Sequence, residues 1–188
     1  MIVVGFLGAG GDPGKLALEI ARRATGTGAS VEMVGVATPD VAGDARLLEL
    51  ASAGIGHATV VRSAAEGLES ADLDLALRYL PDVRAIVLVA PDASLIEPAA
   101  AASGWYGAGL VIIASGSQGA DGPEAGSGEP RAIDSAPQAI LLDPPPVDRD
   151  GTFAGLVAAL ATRLDAGDDP TTAWQSTVSA LAVDPVSR

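Results

Sequence analysis

The stretch GGDPGKLALEIARRATGTGASVEMVGVATPDVAGDARLLELASAGIGHATVVRS, Gly10 to Ser63, changes its hydrophobic period along its length, and that change decides the fold. From Lys15 to Ala24, Leu16, Ile20 and Ala24 recur at intervals of four while Glu19, Arg22 and Arg23 are left to face water, which is amphipathic-helix spacing. Val31 to Ala37 then reads as a strand. Gly43 to Ala53 returns to helical spacing with Leu47, Leu48 and Ala51 on one side, and Ala58 to Val61 is again a strand.

The alternation continues outward. Ile2 to Leu7, Ala85 to Ala90, Leu110 to Ala114 and Ala139 to Leu142 are further strand candidates, most of them uninterrupted apolar runs of the kind buried on both faces of a parallel sheet. Helical spacing recurs over Leu73 to Leu80, Ser94 to Ala102 and Thr152 to Leu164, and Pro170 opens a last helix that ends near Ala182. Strand following helix predicts an α/β fold: three layers, α/β/α, around a mostly parallel, doubly wound sheet. One domain over residues 1–188 is expected, with the Gly/Ser-rich stretch 115–137 as a long loop inserted in it.

Charge narrows the partners. The chain carries 24 acidic and 11 basic side chains, a formal net charge of −13, which repels a phosphate backbone and an anionic bilayer alike. Neither nucleic acid nor membrane is an expected partner; a small-molecule ligand and further copies of the chain are. The absence of cysteine excludes disulfides, thiolate metal sites and a cysteine nucleophile, and the single histidine, His57, cannot form a histidine cluster for zinc. The N-terminus MIVVGFLGAGG lacks a basic n-region and no apolar run approaches the ~18 residues that cross a bilayer, so a cytoplasmic location is expected. A serine nucleophile at Ser115 or Ser117 would need His57 to reach it, and Asp143, at the end of the last strand, is equally an ordinary turn residue before three prolines.

The turn Gly8 to Lys15 joins the first strand to the first helix, where exposed N–H groups and the helix dipole favour an anion, so Gly10, Gly11, Gly14 and Lys15 are candidate ligand-binding residues. A Walker A loop fails, because Ala9 and Leu16 stand where it needs a glycine and a hydroxyl. A dinucleotide fingerprint on Gly8 and Gly10 fails at Pro13, its third glycine. A nucleotide-binding α/β protein of that kind would still place an acidic residue at the end of the second strand, and Asp40 stands near there, although Thr38-Pro39-Asp40 is also a helix-entry turn.

Taken together, these features resemble the ribokinase-type (PfkB) carbohydrate kinases. In that family a Gly-Gly turn opens a helix, a strand ending in Val-Gly follows, an Asp and a Gly precede a helix with Leu-Leu, and an Ala-Gly-Ile turn leads into a strand; Gly10 to about Ser63 is similar throughout. Phe153-Ala154-Gly155 resembles the start of the family's C-terminal helix pair. The resemblance implies a reduced ribokinase-like core.

The departures fall at the chemistry. The family's Gly-Ala-Gly-Asp turn offers N–H groups to the transferred phosphoryl group, and its Asp is the base for the sugar hydroxyl. Aligned on Phe153-Ala154-Gly155, the base position is Gly151 and the turn is Asp148-Arg149-Asp150, two carboxylates where the family has glycines. Asp150, one residue away, is the candidate catalytic residue, and its structural alternative is to cap the helix that follows. Asp148 and Gly151 complete the candidate ligand-binding set. Phe6 and Lys15 occupy the positions of the family's sugar-binding Asp and Asn, and the near adjacency of Leu7 and Gly10 leaves no room for the lid. The resemblance therefore implies a pseudokinase: a non-catalytic binding, regulatory or scaffold protein, and a homo-oligomer. Two alternatives stand beside it, a small sugar or nucleoside kinase using the Gly10 to Lys15 turn and Asp150 with ATP and Mg, and an unrelated Rossmann-like nucleotide-binding protein.

Overall fold

Strand β1, Ile2–Phe6, runs up the middle of a six-stranded sheet of order β3-β2-β1-β4-β5-β6, parallel at every pairing. The other strands are β2 (Val31–Ala37), β3 (Gly56–Arg62), β4 (Ala85–Val89), β5 (Gly109–Ile113) and β6 (Ile140–Leu142). Helices α1 (Asp12–Gly26), α2 (Val41–Ser52), α3 (Ser70–Tyr79), α4 (Ala93–Tyr106), α5 (Thr152–Ala166) and α6 (Pro170–Val183) connect or follow them. The computed structural model describes residues 1–6, 12–64, 67–114, 136 and 138–183. Among these, no helix is long and apolar enough to cross a membrane.

The sheet is buried on both faces because alternate side chains feed two cores. Ile2 and Val4 of β1, with Val31, Met33, Val87 and Val89, pack under Ile20 and Ala24 of α1, Leu50 of α2 and Val157 and Leu160 of α5. Val3, Val34, Val36, Ile86 and Leu88 face the opposite way, under Leu73 and Leu77 of α3 and Leu95 and Ala99 of α4. Each fully buried Leu, Ile or Val contributes about 1.5–3 kcal/mol. The three-layer α/β/α architecture expected from the sequence is the one observed, with the sheet wholly parallel rather than mostly so.

Differences from the sequence reading are local. Helix α1 begins at Asp12 instead of Lys15, so Gly14 and Lys15 lie within its first turn rather than in a turn ahead of it. Pro13 permits this, because the N–H it lacks has no acceptor in a first helical turn. His57, just ahead of the strand read over Ala58 to Val61, is the second residue of β3, and its Nδ1 lies 3.2 Å from the Ile55 carbonyl. The loop read over 115–137, with Ser115 and Ser117, lies outside the described residues apart from Ala136, which is buried.

Helix α2 starts as its sequence demands. Asp40 at the N-cap accepts from Gly43 N at 2.9 Å and from Thr38 Oγ1 at 2.6 Å. Gly43 has no alternative: a Cβ there would stand 1.9 Å from the Thr38 carbonyl oxygen.

Candidate functional site

In an open parallel sheet, ligands sit beyond the carboxyl ends of the strands, where the connections change direction. Here that point lies beside β1 and β4, and the described residues leave a cleft of about 1290 Å³ there. Its floor is the ends of β4 and β5, at Val89, Ala90, Ile113 and Ala114. One wall is the face of α1 bearing Lys15, Glu19, Arg22 and Arg23, and the other runs from Pro144 through Asp148, Arg149, Asp150 and Gly151 into Phe153 and Ala154 of α5. Ala90 is held at a φ of 48°, with its N–H bonded to the Ile113 carbonyl at 2.8 Å. A left-handed alanine costs roughly 1–2 kcal/mol, strain of the kind that clusters at sites.

The wall at α5 is built around one carboxylate. Gly151, at a φ of 66°, turns the chain back so that Asp148 faces the helix start: its Oδ1 accepts from Phe153 N at 3.1 Å and its Oδ2 from Ala154 N at 3.0 Å. Capping therefore falls to Asp148 and not, as the sequence suggested, to Asp150. Asp150 immediately precedes the N-cap Gly151, and the left-handed turn leaves it exposed at the cleft. Arg23 reaches across from α1 to the same turn, its Nη2 2.3 Å from where a Cβ of Gly151 would be.

Charge is distributed in pairs. Arg23 donates through Nε to Glu19 at 2.8 Å, and Arg22 to Glu49 of α2 at 2.7 Å. All four partners are about two-fifths exposed, so each pair contributes at most about 1 kcal/mol. Lys15, Arg22, Arg23 and Arg149 face Glu19, Glu49, Asp148 and Asp150, so the lining is balanced in a chain of net charge −13.

Of the residues singled out from the sequence, Lys15, Asp148, Asp150 and Gly151 come together at this cleft. Gly14 does not; it is buried against a separate apolar crevice beneath α1 and α2, with Leu18, Met33 and Leu50. Asp40 stands apart as the cap of α2, its carboxyl held below the ordinary aspartate value first by the Thr38 hydroxyl and then by the Gly43 N–H. Asp143 is exposed and outside the lining, and Gly10 and Gly11 fall outside the described residues. Sequence reasoning missed Glu19, Arg22 and Arg23 as wall residues. They lie four, seven and eight residues after Lys15, which places them on one polar helix face, but only the packing of α5 beside α1 turns that face toward a cleft.

A parallel α/β sandwich with a cleft at its strands' carboxyl edge is the class that fold and site define. Its particular fold is ribokinase-like. An E. coli chain described as a Ribokinase II, in complex with ATP and Mg+2, is 11% identical, with a TM-score of 0.56 over 100% of this chain and 92% of that one. The chain named Sa239 is 10% identical, with a TM-score of 0.55 over 98% and 93%. Fructokinase from Xylella fastidiosa is 12% identical over 90% of this chain and 59% of its own, and its TM-score of 0.44 adds nothing to the assignment. At these identities the likeness establishes the fold alone. No family model matches the sequence, and no curated protein matches it.

The α5 turn does not fit a magnesium–triphosphate. Two of the N–H groups of its first turn are taken by Asp148, Asp150 adds a second carboxylate to the same wall, and among the described residues no three acidic or histidine side chains cluster to hold a cation.

Proposed function

We propose that this ribokinase-like protein does not transfer phosphoryl groups and acts in the cytoplasm as a binding or regulatory protein, taking a small molecule in the cleft between α1 and α5. The observation that carries this reading is the Asp148 carboxylate on Phe153 N and Ala154 N. Phosphoryl transfer needs donors aimed at the charge that develops and a base within reach of the acceptor hydroxyl. At this helix start a side chain of the protein is already seated on two donors, and a second anion, Asp150, lines the approach. Arg22 and Arg23 offer little compensation, being committed to Glu49 and Glu19.

One observation favours the kinase alternative: Lys15 and Asp150 line the same cleft, so ATP with Mg could lie between an α1 cation and a candidate base. The strand order favours the Rossmann-like alternative, since β3-β2-β1-β4-β5-β6 is also the dinucleotide-binding order. The deciding experiment incubates purified protein with ATP, Mg2+ and a panel of sugars and nucleosides, and follows both product and thermal stability. No phosphorylated product is expected, and no stabilisation by ATP or NAD, whereas either nucleotide at 100 times its Kd would add about 2.7 kcal/mol. Product formation lost in Asp150→Ala would overturn the reading in favour of the kinase. A homo-oligomer belongs to the same proposal, and sedimentation at micromolar concentration tests it.

A further inference from the structure

The face opposite the cleft-bearing helices exposes aromatic side chains that the fold does not use. The chain has only six aromatic residues, and two of them, Trp105 and Tyr79, are 84% and 77% exposed, with Leu75 one turn before Tyr79 at 54%. Tyr106 Oη donates to the Leu77 carbonyl at 3.0 Å, which ties together the ends of α4 and α3. Trp105 and Tyr79 flank that tie. At the other end Asp92, ahead of α4, lies beside Gly67, ahead of α3, so the two helices run side by side in the same direction.

The near end of this helix pair is acidic. Asp72 lies in the first turn of α3, Glu69 and Asp92 just ahead of α3 and α4, and Glu97 in the second turn of α4, and neither Glu69 nor Asp92 spends its carboxylate on capping its own helix. None of the four has a cationic partner among the described residues. At the aromatic end charge is balanced, with Arg78 paired to Asp74 and Arg84 near Asp82 in sequence. The surface is therefore polarised over the roughly 15–21 Å that helices of this length span, from four carboxylates to two aromatic rings.

We propose that the α3–α4 face docks an amphipathic helix of another protein, its apolar N-terminal half on Leu75, Tyr79 and Trp105 and a Lys/Arg-bearing C-terminal half over Glu69, Asp72, Asp92 and Glu97. Charge complementarity selects this occupant. Cations are favoured at the C-terminus of the incoming helix, which then lies antiparallel to α3 and α4 with dipoles opposed. Exposed Trp and Tyr are the side chains that most often anchor such contacts, and both attract cations. A second copy is a poor occupant, because a two-fold would bring either each aromatic end against an uncompensated acidic end or the two acidic ends together.

The test uses a synthetic amphipathic helix of about 18 residues, with leucines at helical spacing in its N-terminal half and four lysines in its C-terminal half, and a twin carrying glutamates in place of the lysines. Fluorescence anisotropy of the labelled peptide against the full chain should show binding of the lysine peptide only. Trp105→Ser and Tyr79→Ser should each weaken it about tenfold, with unchanged melting because both side chains are exposed. No binding, equal binding of the twin, or binding indifferent to Trp105→Ser would each overturn the proposal. So would a wild-type dimer that Trp105→Ser makes monomeric, since that would assign the face to a second copy.

Discussion

Helices α2 and α5 both begin with an aspartate seated on backbone N–H groups, yet the two entrances are built differently. At α2 the cap is Asp40 in the N-cap position itself, and Thr38 closes over Gly43 so tightly that a Cβ would meet the Thr38 carbonyl oxygen at 1.9 Å. At α5 the cap is Asp148, reaching in from three residues before the N-cap Gly151, and what lies over Gly151 is the far end of a long side chain, the Arg23 guanidinium. One entrance is sealed by main chain and serves folding. The other is closed only by side chains and faces a cleft.

Glycine replacement separates them most strongly. Gly43→Ala must displace main chain and should destabilise by about 3 kcal/mol in urea unfolding, at the upper end of overpacking costs. Gly151→Ala carries a left-handed penalty of about 1–2 kcal/mol while Arg23 swings aside, so equal losses at the two sites would break the comparison. Asp148→Ala should cost about 1 kcal/mol as a lost cap and leave Phe153 N and Ala154 N open to the cleft. Inorganic phosphate should then stabilise this variant more than the wild type in thermal melts, whereas Asp40→Ala should gain nothing from phosphate.

The smallest effect is one of pH. Asp40, and Asp169 through the Thr172 hydroxyl and then the Thr172 and Thr171 N–H groups, titrate below the ordinary aspartate value when folded. Their support of α2 and α6 is thus fully present above that value and is lost as pH falls through the lowered folded ones. Hydrogen-exchange protection factors at the first turns of α2 and α6, taken against the intrinsic rate at each pH, should fall on acidification, and Asp40→Asn should remove the α2 component alone.

The strands and helices were legible because each carries its own period: Ile2 to Leu7 and Ala85 to Ala90 are apolar throughout, and Leu16, Ile20 and Ala24 mark one helix face. The resemblance around Gly10 to Ser63 pointed to the ribokinase-like fold that the structure shows. The α2 entrance was legible too, since Asp40 and Gly43 are three residues apart and interact locally.

What composition and spacing determined, then, was the layered parallel fold and a net charge of −13. Tertiary structure alone decided that Asp148 and not Asp150 caps α5, and that Arg22 and Arg23 line a cleft instead of facing open water. It also decided that Trp105 and Tyr79 stand exposed at the tied ends of α4 and α3. Local periodicity follows from the geometry of a single helix or strand, whereas these outcomes depend on which helices pack side by side and on one left-handed glycine that re-aims a carboxylate. Contacts between residues as distant as Arg23 and Gly151 leave no periodic trace in the chain.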